Sequence, residues 1–272
     1  MNIVEYAKMR KMFGGGGSGG GDIDALIDGS LTEITSNAES VQTNAFHSNK
    51  WLTKIRLPRA TVINESAFYS CKKLAVVDCP KATVVQYGAF QSTSISIADF
   101  PKVETLDAYA FYDCKSLKSV NFPALKIMSS AVFSGCSSLT EVVFPNVKEL
   151  NGSIFSNCLL LKSVDFLKNS HVHSYMFNSC FSLTALILRS ETMWALGNTN
   201  AFNSCYHFHG TVNSTYNPDG LKDGYIYVPR ALIDSYKTAT NWTTFATQFR
   251  ALEDYTVDGT TTGELDESKV SL

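Results

Sequence analysis

Asp78, Asp99 and Asn121 follow one another at steps of 21 and 22 residues, and Asp165 lies 44 residues beyond Asn121. Lys118 and Lys162 each stand three residues before Asn121 and Asp165, and Glu141 falls between them. Carboxylates accept hydrogen bonds, ammonium groups donate them, and an amide does both. Set at one spacing, such side chains form a polar row that can hold a glycan or match the charges of a protein. These seven residues are the candidate ligand-binding set. The same positions also suit a plain solvated strand face, whose residues vary freely, and the sequence leaves both readings open.

Other reactive groups point to packing rather than chemistry. His171-Val172-His173 and His207-Phe208-His209 would each put two imidazoles on one side of a strand. Zinc takes four nitrogen or sulfur ligands, and the cysteines nearest in sequence, Cys180 and Cys205, belong to a slot expected to be buried. The seven cysteines suggest disulfides at first sight. Six of them, however, fill one equivalent position: Cys71, Cys114, Cys136, Cys158, Cys180 and Cys205. A single column is expected to hold free thiols that behave as small hydrophobes. No G-x-S-x-G elbow, P-loop or strand-linked G-x-G-x-x-G occurs. The expectation is a non-catalytic chain with no metal and no cofactor.

The element that positions these residues is a repeat. Phe46, Phe68, Phe90, Phe111, Phe133, Phe155, Phe177 and Phe202 are separated by 22, 22, 21, 22, 22, 22 and 25 residues. Counted from each Phe, the cysteines sit three residues later. Leu52, Leu74, Leu117, Leu139, Leu161 and Leu183 sit six later. Nine later come Ile55, Val77, Val120, Val142, Val164 and Leu186, then an apolar residue at eleven, often followed by Pro. Apolar residues two apart read as a short strand, and Pro ends it for want of an N–H. The return from Pro to the next Phe should be a turn, a short strand or a single helical turn. It carries one more apolar position, at Ile63, Val85, Leu106, Met128, Leu150 and Val172. The unit that starts at Phe90 is one residue short.

A period in the twenties marks a solenoid, because one unit cannot bury its own apolar side chains and stacked units can. Parallel strands stack about 4.8 Å apart, so seven units give a sheet face on the order of 30 Å long. Asp78, Asp99, Asn121 and Asp165 occupy the position ten residues after Phe, or nine in the short unit. They should therefore lie on the solvent side of that face.

The segments AFYDCKSLKSVNFP, VFSGCSSLTEVVFP and IFSNCLLLKSVDF resemble the BspA-like leucine-rich repeats of bacteria and their phages. The resemblance covers about residues 40–210. It implies a right-handed leucine-rich-repeat solenoid, mostly strand and loop, with a parallel sheet on one face and a small strand–helix cap at the C-terminal end. It also implies adhesion or protein recognition without fixing a ligand. IYVPRALIDSYKTATNWTTFATQF resembles the closing segment of such proteins. Within it, residues 230–239 read as a helix, and Asn241 reads as the N-cap of a second one through Trp242, Phe245 and Phe249. The start, MNIVEYAKMRKMF followed by GGGGSGGG, is similar to N-terminal segments of tail or head-fibre proteins of gut phages. That likeness implies a tether to a virion and a role in host attachment.

Composition agrees with a folded chain, at 44% apolar and 18% charged residues. A net charge of −2 recruits neither nucleic acid nor an anionic membrane. No run approaches 18 apolar residues, so no membrane insertion is expected. Lys8, Arg10 and Lys11 are followed by glycines rather than an apolar stretch, unlike a secretory signal. The expected organisation is a docking peptide (1–13) with a Gly-rich linker to residue 21, a solenoid over 22–210, a cap over 211–253 and a polar tail over 254–272. The expected partners are a protein or glycan on a cell surface and a larger assembly held through residues 1–13. The expected location is a virion or the cell exterior, with a bacterial surface adhesin, a structural spacer and a cytoplasmic interaction scaffold as alternatives.

Overall fold

The computed structural model describes residues 32–167, 171–210, 213 and 215–254. The docking peptide, the linker and the tail beyond residue 254 lie outside the described residues. Each coil contributes two strands. The longer ones are β1 (Glu33–Thr35), β3 (Lys54–Arg56), β5 (Val76–Asp78), β7 (Ile97–Asp99), β9 (Ser119–Asn121), β11 (Glu141–Phe144), β13 (Ser163–Phe166) and β15 (Ala185–Leu188). Between them lie two-residue strands: β2 (Ser40–Val41), β4 (Val62–Ile63), β6 (Val84–Val85), β8 (Thr105–Leu106), β10 (Ile127–Met128), β12 (Glu149–Leu150), β14 (His171–Val172) and β16 (Ala195–Leu196).

All pairings between named strands are parallel, and equivalent residues of successive coils face one another, as in Val142↔Val164↔Leu186. The Pro-to-Phe return is thus a short strand, and it builds a second ladder, β2 through β12 in coil order. Its inward residue in each coil is the apolar one: Val41, Ile63, Val85, Leu106, Met128 and Leu150 are all buried.

The third side of each coil is the turn that carries Phe. The residues two before and two after Phe hold positive φ in coil after coil, for example Ser66 (52°) and Ser70 (56°) around Phe68. That backbone sends alternate N–H groups along the stack. Ser66, Phe68 and Ser70 donate to the carbonyls of Tyr87, Ala89 and Gln91 at 2.8–2.9 Å. The turns therefore form a third hydrogen-bonded ladder, which satisfies backbone groups that burial would otherwise leave unpaired.

Inside this triangle the Phe rings stack. Successive centroids from Phe46 to Phe202 lie 5.1 to 5.9 Å apart, with interplanar angles of 25° or less. A second aromatic column comes from the slot eleven after Phe. Phe100 stacks on Phe122 at 5.7 Å, Phe144 on Phe166 at 5.9 Å, and Trp194 lies 5.2 Å from Phe166. One apolar core runs from Ile34 to Phe249.

The seven cysteines are free and buried. Each thiol three residues after a Phe donates to the Phe carbonyl of the preceding coil, as Cys136 does to Phe111 at 3.2 Å and Cys180 to Phe155 at 3.0 Å. In the short unit Thr93 fills that slot, and its hydroxyl donates to Phe90 O at 2.9 Å. The slot needs a small side chain with one hydrogen to donate. Burial pushes Cys71 up to about 12 and Cys114 to about 11.

At the C-terminal end, β17 (Tyr225–Val228) continues the longer-strand ladder beside β15, and β18 (Phe249–Ala251) follows beside β17. Two short helices, α1 (Tyr206–His209) and α2 (Ile233–Thr238), and 3-10 turns at Arg230–Leu232 and Trp242–Gln248 cover the open end of the core. Tyr236 Oη accepts from Trp194 N at 2.7 Å, and Trp242 Nε1 donates to Trp194 O at 2.8 Å. Phe208 fills the Leu slot of the last unit, and a Cβ on Gly224 would stand 2.6 Å from its ring. Asn241 departs from its expected role. It holds φ +65° and makes no side-chain cap, and its amide donates instead to Leu196 O at 2.8 Å. Phe249 belongs to β18 rather than to a helix.

Candidate recognition face

From β3 to β11 the longer strands turn the column of Ile55, Ala98 and Val142 inward and present the columns on either side of it to the outside. The outer row nearest the strand ends reads Arg56, Asp78, then Asp99, Asn121, then Val143, Asp165, Ile187, Tyr227, Arg250, with paired residues directly opposite one another. Four of these are the residues expected to form a polar row, and their surroundings differ.

Asp78 Oδ2 takes Arg56 Nε at 2.8 Å in a half-exposed ion pair, the kind of contact that adds at most about 1 kcal/mol. Asp99 and Asn121 are exposed, and Asn121 Nδ2 donates to Asp99 Oδ1 at 2.8 Å. Lys118 and Glu141 are exposed on the neighbouring columns, and Lys162 is exposed one coil further on. Asp165, expected on the solvent side with the others, is 6% exposed. Its carboxylate is taken by Arg189 through two nitrogens, Nε at 2.9 Å and Nη2 at 2.8 Å. Burial raises its pKa, and the Arg189 guanidinium opposes that rise. Asp165 is an internal ion pair and offers nothing to a ligand.

The longer-strand ladder is interrupted twice among the described residues, between β5 and β7 and between β9 and β11. The first break adjoins the unit that is one residue short. At each break an inward valine, Val77 or Val120, is only partly buried, whereas Ile55 and Val164 are fully buried. The β9/β11 break opens into a cleft of about 460 Å³, a size that suits a small ligand or one residue of a larger one. Lys118, Asn121, Thr140, Glu141 and Val143 line it, with Pro123 and Pro145 at one end. Three of the seven expected residues thus meet in one concavity: Lys118, Asn121 and Glu141. Asp99 reaches it through Asn121. Asp78 and Lys162 lie elsewhere on the face. The cleft gives a ligand a cation, an anion, an amide and a hydroxyl within one apolar-floored space.

The face also carries apolar residues that a search for polar chemistry passes over. Val76, Ile97 and Val143 are 48%, 59% and 53% exposed. Toward the C-terminal end the same face is covered instead, and Ala185, Ile187 and Tyr227 form a separate buried cluster with Leu252 and Tyr225 against it. The exposed part of the sheet is therefore its N-terminal and central stretch.

His171 and His173 lie side by side as expected, with ring centroids 5.8 Å apart. His207-Phe208-His209 lies on α1, not on a strand, so its imidazoles diverge. His207 Nδ1 meets Asp223 Oδ1 at 2.7 Å, and His209 Nε2 lies 3.0 Å from Phe202 O. Burial and the neighbouring His171 lower the pKa of His173. Among the described residues no three His, Cys, Asp or Glu side chains are grouped to hold a metal ion. No helix among them is long and apolar enough to cross a membrane.

A family model described as the BspA type leucine rich repeat region matches residues 29–118 and 83–209, in six copies. Among solved structures, a leucine-rich-repeat protein of T. pallidum is 26% identical, over 64% of this chain and 77% of that one, with a TM-score of 0.48. A leucine-rich-repeat protein from Bacteroides ovatus is 14% identical over 81% and 92%, with a TM-score of 0.27. A leucine-rich cell surface protein from Faecalibacterium prausnitzii is 16% identical over 79% and 66%, with a TM-score of 0.32. No curated protein matches.

Proposed function

Because the chain belongs to the BspA-type leucine-rich-repeat family, we propose that it is a recognition module with no chemistry of its own, which offers the exposed sheet face between β3 and β11 to a protein or glycan on a cell surface. The observation that carries this reading is the β9/β11 cleft, where Lys118, Asn121 and Glu141 gather beside exposed Val143. A solenoid that needed this face only for solubility would have no use for an opened ladder or for partly uncovered core valines. A rigid face with a mixed polar and apolar cleft suits a partner that must be told apart from its neighbours, since unpaired buried polar groups reject the wrong one.

Residues 1–13 serve in this reading as a docking peptide and 14–21 as the Gly-rich linker to it. The anchor we favour is a phage virion, which places the face at a host surface; the support for it is the resemblance of the first 21 residues to phage fibre and tail segments.

The test is binding to an array of glycans and host-surface proteins, repeated with Asp99→Lys and Asn121→Lys. Each substitution puts a cation into the exposed pair in which Asn121 donates to Asp99. Loss of the bound signal in both variants supports the face, and binding unchanged in both removes it.

A further inference from the structure

The outer face of the longer-strand ladder changes between two strands that pair in register. On β11 the outward residues Glu141 and Val143 are exposed, and their partners on β13, Ser163 and Asp165, are buried. The burial continues along both rows, through Ala185 and Ile187 on β15 to Tyr227 on β17, with Ile187 at 2% and Tyr227 at 3% exposure. Side chains on the outside of a sheet lose solvent only where something lies over them. Arg189 shields Asp165. Among the described residues, the apolar side chains packed against Ala185, Ile187 and Tyr227 are Tyr225 and Leu252, and both are themselves only partly buried. Arg250 lies against the Tyr225 ring, 4.1 Å from its centroid. Two half-buried side chains do not close a patch that spans three strands, about 10 Å.

The chain leaves β18 at the edge of this patch. Leu252 is already packed against it. Arg230, two residues beyond β17, donates its backbone N–H to the Glu253 carboxylate at 2.9 and 3.0 Å, and its guanidinium pairs with Asp254. Residue 255 therefore starts at the Tyr227 end of the patch, and the sequence runs on as YTVDGTTTGELDESKVSL. Tyr255 and Val257 stand two apart, so an extended chain turns both to one side.

We propose that residues 255–272 form a strap over the outer face of β17, β15 and β13 of their own chain, with Tyr255 and Val257 laid on Tyr227 and Ile187. Crossing those strands takes about 10 Å, which three or four extended residues span at about 3.3 Å each. The strap ends the open part of the sheet at β11. A partner that displaces it gains three more strands of surface, continuous with the open face and rich in apolar side chains. That consequence rests on the recognition reading; the strap itself does not.

Thiol labelling of the full chain tests the strap, because the seven native thiols are buried. In Ile187→Cys the new thiol labels slowly, and adding Tyr255→Ser and Val257→Ser speeds it about tenfold or more while the melting transition stays in place. In a second variant, Ile187→Cys with Val257→Cys, mild oxidation closes a disulfide within one chain. The control pairs Val257→Cys with Glu149→Cys, on the exposed side of β12, and does not close. The inference is overturned if the serine changes leave the labelling rate as it is, or if the first disulfide forms no faster than the control. It is overturned equally if that disulfide joins two chains, which would make a second copy the cover. None of these readouts involves a ligand, so the strap stands or falls apart from the recognition face.

Discussion

The carboxylate of Asp165 and the guanidinium of Arg189, 24 residues apart, meet side by side on the outer face of β13, with Nε 2.9 Å from Oδ1 and Nη2 2.8 Å from Oδ2. Removing one partner of a buried pair leaves the other charge without compensation, which costs about 3–5 kcal/mol. Arg189→Ala should therefore lower the unfolding free energy by about that amount in urea titration. In that variant burial alone acts on Asp165 and holds its folded pKa above the unfolded one. Its stability should then rise as pH falls toward about 4, the range in which the unfolded carboxyl also takes up its proton. The parent, with its arginine in place, should gain less.

The buried thiols predict the opposite limb of the pH profile. Burial holds the thiols of Cys71 and Cys79 at about 12 and that of Cys114 at about 11, against 9.0 when unperturbed. Between those values the unfolded chain releases thiol protons that the fold retains. Stability is thus intact below about pH 9 and is lost progressively above it. Melting temperatures read at rising pH should fall steeply past pH 9. A thiol reagent should label none of the seven cysteines in the native protein and all of them once it unfolds.

The stack of rings makes a graded prediction. Phe155 touches Phe133 at 5.9 Å and Phe177 at 5.8 Å, with Phe144 at 6.1 Å from the second column. Phe155→Ala should cost about 3–5 kcal/mol, since neighbours fixed by three backbone ladders cannot collapse into the cavity. Phe155→Leu, which keeps most of the buried volume, should cost less. Chemical denaturation of the two variants compares them.

The turns give a test of backbone rather than packing. Gly135 holds φ +79°, and a Cβ there would come within 3.1 Å of Asp113 Oδ1 and 3.2 Å of its Cα. Gly135→Ala should destabilise by about 1–2 kcal/mol from the left-handed backbone alone, with the contact to Asp113 adding to it. Gly88→Ala, with the same backbone sign but a flexible Gln91 end as its nearest contact at 3.3 Å, should cost the smaller amount.

Much of this fold is legible in the residues because each slot has one demand. The Phe, Leu and Cys columns read as inward, and all three are. The strand after each Leu and the proline that closes it are where the spacing puts them. The candidate site is legible only in part. Asp99, Asn121, Lys118 and Glu141 were found because side chains on the outer columns differ from coil to coil. Asp165 has the same slot and the same carboxylate, and only its pairing with Arg189 across 24 residues makes it internal. The seam between β9 and β11 has no residue type of its own. The one hint of a broken ladder in the sequence, the 21-residue unit, marks the other seam. The second ladder shows in the sequence only as one apolar residue per coil, Ile63, Val85, Leu106 and their equivalents, because a two-residue strand is too short to alternate.

The central claim is that recognition occurs in the β9/β11 cleft and not over the sheet at large. The measurement that tests it most directly is a titration of one array-identified ligand against Asn121→Lys and Lys162→Glu. Both residues are exposed on the longer-strand side of the solenoid, and only Asn121 lines the cleft. The account predicts about tenfold or greater loss for Asn121→Lys and an unchanged isotherm for Lys162→Glu. Equal affinity in Asn121→Lys and the parent, or a loss confined to Lys162→Glu, would contradict it.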